Sequence, residues 1–168
     1  LDAYREPLRE AFAECDIPLF LAESRPCARR PLCECLLTAL QMLSRGARDE
    51  DLHACLASGC LDVSRRDAAR LRNYAVAYGL RASAFFRPLK RGPAELVEAL
   101  EPVRAAAMAP LLSLRERLRA AKDLRGQLEA VFGFLTDIRA YDKSLARQQA
   151  LCAQDMYEAA GEEAQVWN

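Results

Sequence analysis

The chain has 168 residues, 52% of them apolar and 29% charged, which is enough apolar side chain for one core and excludes the disordered and fibrous classes. Its 24 Lys+Arg balance 24 Asp+Glu, so the overall charge argues neither for nor against a polyanionic partner, and only local clustering can. No uninterrupted apolar run approaches the roughly 20 residues of a membrane span, and the start LDAYREPLRE lacks the apolar stretch of a signal peptide.

In chain order, residues 2–14 together with Cys15 place Leu8, Ala11, Phe12 and Cys15 on one helical face, with Pro7 tolerable only near a first turn. The stretch CDIPLFLAE (15–23) reads as extended, because the residue before Pro18 is pushed out of the helical region. It is the one strand candidate, and a lone strand would need partners outside this chain. Pro31 is placed as the first helical residue of PLCECLLTALQMLSRG, whose stripe is Leu32, Leu36, Ala39, Leu40 and Leu43. DEDLHACLASG (49–59) is a short helix with acids in its first turn. Ser64 caps the next helix, with Asp67 in place of the usual capping-box Glu. That helix sets Leu71, Tyr74, Ala75 and Tyr78 on one face with Asn73 beside it, and Gly79 follows where a left-handed residue is expected. Residues 81–93 form a connector. A helical pattern then runs from Pro93 to Ala121, with a kink or break expected near Pro102 and Pro110. Residues 123–141 carry a stripe of Leu124, Leu128, Val131, Leu135 and Ile138, and a last helix spans about 142–165. The expected fold class is all-α, an irregular multi-helix bundle with at most one short strand near residues 17–21. The missing initiator Met and the end EEAQVWN predict an excised piece of a longer protein.

The seven cysteines are scattered on apolar faces, which suits a reduced, cytoplasmic protein that uses thiols as small hydrophobes. Cys33 and Cys35 are two apart and Cys55 and Cys60 five apart, neither a zinc-knuckle spacing, so no metal site is expected. The glycine-rich phosphate loops and the nucleophile-elbow motif are absent. The sole histidine, His53, lies among acids with no nucleophile in its neighbourhood. No catalytic residue is therefore assigned, and the chain by itself is expected to bind no cofactor.

One constellation carries chemistry. From Arg81 through Arg91 the chain has Arg81, Arg87, Lys90 and Arg91 and no acid, with Phe85 and Phe86 interleaved. Such a run can hold phosphates and stack bases. On composition alone the plainer reading comes first: the two Phe anchor a loop whose bases stay solvated.

The stretch LREAFAECDIPLFLAESRPCARRPLCECLLTAL resembles the place where superfamily-one helicases of the UvrD, RecB and AddA/AddB type pass from the second motor domain into a helical insertion, often called 2B. The family pattern there is Gly-Ile-Pro-Tyr/Phe, then Pro-Leu opening a helix. Ile17, Pro18, Phe20, Pro31 and Leu32 keep it, while Asp16 stands in the glycine position. DLHACLASGCLDVSRRDAARLRNYAVAYGLR is similar to the AddB (RexB-like) pattern, with Ser58, Gly59, Leu71, Asn73, Tyr74, Gly79 and Arg81 matching. Leu61 comes one residue late, Arg72 replaces a Glu, and Phe85 or Phe86 sits where Trp is common.

The resemblance implies that residues 1–22 end a motor-like domain and that 23–168 form a helical insertion subdomain. Pro18, Pro31, Asn73, Tyr74 and Gly79 would then be structural, and Arg81, Arg87, Lys90 and Arg91 would meet DNA phosphates. It implies a parent in the bacterial cytoplasm: an ATP-dependent helicase/deoxyribonuclease subunit that acts in double-strand break repair and recombination with DNA and an AddA-like helicase–nuclease partner. ATP, Mg2+ and an iron–sulfur cluster would belong to that parent. None of the seven cysteines here matches its cluster ligands. The competing reading is a helical scaffold or protein-interaction module without DNA contact.

Overall fold

The structure, a computed structural model, describes residues 4–19 and 30–167. The chain is all-α. Its helices are α1 (Arg5–Glu14), α2 (Pro31–Arg45), α3 (Asp49–Ala57), α4 (Arg65–Ala77), α5 (Ala94–Ala120), α6 (Leu124–Asp137), α7 (Ala140–Cys152) and α8 (Tyr157–Ala164). A 3-10 segment, Ala82–Phe86, lies between α4 and α5, and another, Gln165–Trp167, follows α8. No strand occurs among the described residues. Of the strand expected near 17–21, residues 17–19 belong to no regular element, and 20–21 lie outside the described residues, as does the expected boundary at 22/23. Pro18 is exposed.

The helix signals act where the sequence places them. Pro31 is the first residue of α2, where its missing N–H costs nothing. The Ser64 hydroxyl accepts the Asp67 backbone N–H at 3.1 Å and donates to its carboxylate at 2.8 Å, so the two side chains close the start of α4. α1 ends with Asp16 at φ 53, the left-handed conformation that the family's glycine would take freely.

Of the kink or break expected near Pro102 and Pro110, the break does not occur: α5 runs as one helix through both. The two prolines remove the bonds to the carbonyls of Glu98 and Ala106, and both of those residues are exposed, so water can take the freed groups. The expected helix over 123–141 ends instead at Asp137, where Arg139 turns left-handed (φ 51) and α7 begins. The expected last helix is divided into α7 and α8, with Asp155 left-handed between them.

α2 packs on α3, α5 on α6 and α7 on α8. Leu52, Leu71, Phe85, Leu100, Met108, Leu111, Leu114, Phe134 and Ile138 fill the centre. Cys35, Cys55 and Cys60 lie in the same core and, with Met42, complete the inner face of α2 and its neighbours, which the Leu stripe alone understated. Among the described residues no helix is long and apolar enough to cross a membrane.

Candidate nucleic-acid interface

The connector from Arg81 to Pro93 is held at both ends, and that determines where its basic residues point. At the end of α4, Gly79 has φ 58, its N–H reaches the Val76 carbonyl at 3.4 Å, and the Leu80 N–H reaches that of Ala75 at 2.8 Å. This is the double bond pattern of a Schellman cap, which turns the chain sharply off the helix. The Ala82 N–H then donates to the Asp49 carboxylate at 2.7 Å, drawing the 3-10 segment onto the first turn of α3.

Two residues of α5 grip the middle. Arg104 is buried, with 6% of its surface exposed, and donates to the Phe85 carbonyl at 2.8 Å and to both oxygens of Glu101. The Glu101 carboxylate also accepts the Leu89 N–H at 2.8 Å. The Arg104 guanidinium, and after it the Leu89 amide, hold the Glu101 carboxyl below the usual carboxylate range. The far end is closed by Tyr74, whose hydroxyl donates to the Arg91 carbonyl. Arg91 in turn donates through Nη1 to the Tyr78 carbonyl at 3.0 Å. Gly92 lies against the Tyr78 ring: a Cβ there would fall 2.7 Å from its Cζ.

With the backbone fixed in this way, Arg87, Lys90 and Arg91 come together. All three are exposed and, with Leu80, Ser83, Ala84, Pro88 and Leu89, they line a depression of about 600 Å³ that contains no carboxylate. No ion pair joins them to an acid among the described residues, Glu95 and Glu98 included. Arg81 is separate. It faces a neighbouring depression and pairs with Asp49, Nε to Oδ2, at 3.5 Å. Phe85 is part of the core, and Phe86 is half-buried with the Arg115 guanidinium 5.3 Å from its ring centre. The loop-anchoring role therefore holds for both, and Phe85 cannot stack a base.

Of the five residues expected to be structural, Pro31 opens α2, the Tyr74 hydroxyl bonds the Arg91 carbonyl and Gly79 has positive φ at the end of α4. Asn73 sits on the exposed side of α4, and its side chain makes no hydrogen bond among the described residues. Sequence reasoning missed Asp49, Glu101 and Arg104. The signal for the last two was the i,i+3 acid–base pair in EPVR, which reads as a solvated surface pair until α5 is seen to pass beneath the connector.

Among the described residues no group of three or more His, Cys, Asp and Glu is arranged to hold a metal ion. Cys35 and Cys55 bring their sulfurs to 3.6 Å. The hydrogen bond from Cys55 pushes the Cys35 thiol up to about 12, and Cys35 with burial pushes Cys60 up as well. Buried together in the core, the three sulfurs pack there as small apolar side chains.

No family model matches the chain. It is similar over its whole length to proteins named as the B-type subunit of an ATP-dependent helicase/deoxyribonuclease. The one from Alkaliphilus metalliredigens is 27% identical over 186 aligned residues, covering 100% of this chain and 16% of the relative. Those from Bacillus pumilus and Clostridium botulinum are 28% and 25% identical, again over 100% of this chain and 16% of their own length. The chain thus spans 16% of the curated relatives it matches. Along all of its 168 residues the chain is AddB-like, similar to one segment of the B-type helicase/deoxyribonuclease subunits.

Proposed function

We propose that this chain is a non-catalytic, DNA-handling subdomain of an ATP-dependent helicase/exonuclease subunit that serves double-strand break repair and recombination. Its first 22 residues would leave a motor-like domain, and the rest would form the helical insertion. The parent would work in the bacterial cytoplasm beside an AddA-like helicase–nuclease subunit. ATP and Mg2+ would drive its motor, and any iron–sulfur cluster would be held by other parts of the polypeptide.

The observation that carries this reading is the carboxylate-free depression where Arg87, Lys90 and Arg91 converge on a fixed backbone. A phosphodiester backbone is what three exposed cations without acids suit best, and such contacts position DNA without reading its sequence. Arg81 contributes less, since Asp49 already shares its charge. The second reading, a scaffold without DNA contact, draws on that same pair and on the balanced charge of 24 against 24.

A salt titration of DNA binding in the full-length subunit decides between them, comparing wild type with a variant carrying Gln at 81, 87, 90 and 91. Each lost phosphate contact lowers the slope of log K against log salt by about 0.9 on duplex DNA. The expected fall is about 2–3 in total, equal for all DNA sequences. An unchanged slope would leave the chain as scaffold.

A further inference from the structure

Three shallow depressions follow one another around α4. The first, about 300 Å³, is lined by His53, Leu56, Ala57, Arg65, Ala68, Ala69 and Arg72. His53 and Arg72 also line the second, of about 450 Å³, which holds Asp49 and Arg81. Leu80 is shared between the second and the depression of the connector. Shared lining residues thus place Arg65, Arg72 and Arg81 beside one another along α4, with the Arg87, Lys90 and Arg91 depression on the other side of Leu80, and all six side chains are exposed.

Arg65 and Arg72 stand seven residues apart on α4, two turns, so they share a face at about 10 Å separation. Neither is paired with a carboxylate among the described residues, whereas Arg70 on the other side of α4 is taken by Asp67 at 3.1 Å. Asp49 is the one acid that lines the three depressions, and it sits midway. His53 adds no charge at neutral pH, because burial, and then the Arg72 charge beside it, pull its pKa down.

We infer that the six basic side chains form one track for a single phosphodiester backbone, with Arg65 and Arg72 as a second pair of phosphate contacts beyond the connector and Asp49 as a fixed opponent of the anion at its centre. This rests on the DNA-handling reading above and extends it from a local cluster to a path along α4. The apolar floors of Ala57, Ala68, Ala69 and Val76 offer no hydrogen-bond code and no aromatic platform, so the track is blind to base identity.

The test uses the full-length subunit with two labelled probes, an oligothymidylate and a blunt duplex, titrated with salt. Arg65→Gln with Arg72→Gln lowers the slope by about 1.8 on duplex or about 1.4 on the single strand, and the probe that shows the fall identifies the strand form. Asp49→Asn, which keeps an oxygen for the Ala82 N–H, tightens binding several-fold at low salt, with the gain fading as salt screens it. If the Arg65/Arg72 variant keeps the wild-type slope on both probes while the four-Gln connector variant lowers it, the track ends at the connector and this inference is wrong although the DNA-handling reading stands. If the connector variant is also silent, that reading itself fails. An Asp49→Asn variant that binds no tighter removes Asp49 from the path. An unchanged thermal midpoint of the Arg65/Arg72 variant, expected for exposed side chains without ion pairs among the described residues, excludes misfolding as the cause of its slope, and midpoints of the connector and Asp49 variants measured alongside separate lost structure from lost contact.

Discussion

Gly79 and Gly92 bracket the connector, and both have positive φ, but they differ in what surrounds them. A Cβ at Gly79 (φ +58) would meet nothing within 4 Å, so Gly79→Ala carries only the backbone cost of a left-handed alanine, about 1 kcal/mol. At Gly92 (φ +99) the same Cβ would strike the Tyr78 ring at 2.7 Å, and that ring is set by the Tyr74 ring 4.8 Å away. Gly92→Ala is therefore expected to lower stability by about 2–3 kcal/mol, since strain and a packing clash add. Urea midpoints of the two variants check this, and equal losses would mean that Tyr78 yields without cost. Of these two glycines the sequence made only Gly79 legible, because its place just past an i, i+3, i+4, i+7 stripe identifies a cap. Gly92 owes its role to a ring fourteen positions earlier (92 minus 78), a contact that no local pattern encodes. Asp16 is the opposite case: in the sequence it belongs to a stretch that reads as extended, yet its φ is 53, a left-handed turn at the end of α1.

At the scale of the element, the connector is rigid because α5 passes under it with Arg104 and Glu101. Arg104→Ala would leave the Phe85 carbonyl without its donor and the partly exposed Glu101 carboxylate with only the Leu89 N–H, at a cost of about 2 kcal/mol. The pair also carries a pH signature. The folded Glu101 carboxyl sits below its ordinary value of 4.5, so its contribution is complete above that pH and is lost as the pH falls through the lower folded value. Glu101→Gln is expected to be less stable than wild type at neutral pH, with the gap closing in acid. Denaturation midpoints measured from neutral to acidic pH would show it, and a constant gap would mean that the carboxylate charge is not what the pair contributes. This device was hidden in the sequence for the same reason that the continuity of α5 was. Pro102 reads as a helix break, so Glu101 and Arg104, which flank it, are not placed on one helical turn by pattern alone. What decides the matter is the exposure of Glu98 and Ala106, whose freed carbonyls can bond water, and exposure is a property of the packed molecule.

For the whole molecule, the helical class was legible because the apolar period near 3.6 persists from α2 onward, whereas the side on which each helix is buried was legible only where one face is apolar. α4 is such a helix, and Leu71, Tyr74 and Ala75 are buried as its stripe requires. α6 is apolar on two faces. Its stripe of Leu124 and Leu128 reads as core, yet they are 70% and 61% exposed, and the helix buries Ala130, Phe134 and Ile138 against α5 and its neighbours instead. Two phenylalanines two positions apart now differ completely: Phe132 is 72% exposed and Phe134 0%. Phe134→Ala is expected to remove about 3–5 kcal/mol, the range for a large core side chain that leaves a cavity. Phe132→Ser should change stability by less than about 0.5 kcal/mol, because the ring it removes is already in water. Chemical denaturation of the two variants, read by far-ultraviolet circular dichroism, separates these outcomes. Comparable losses at both positions would mean that α6 is rotated about its axis from the arrangement described. The face that carries Leu124 and Leu128 would then be the one that holds the bundle together.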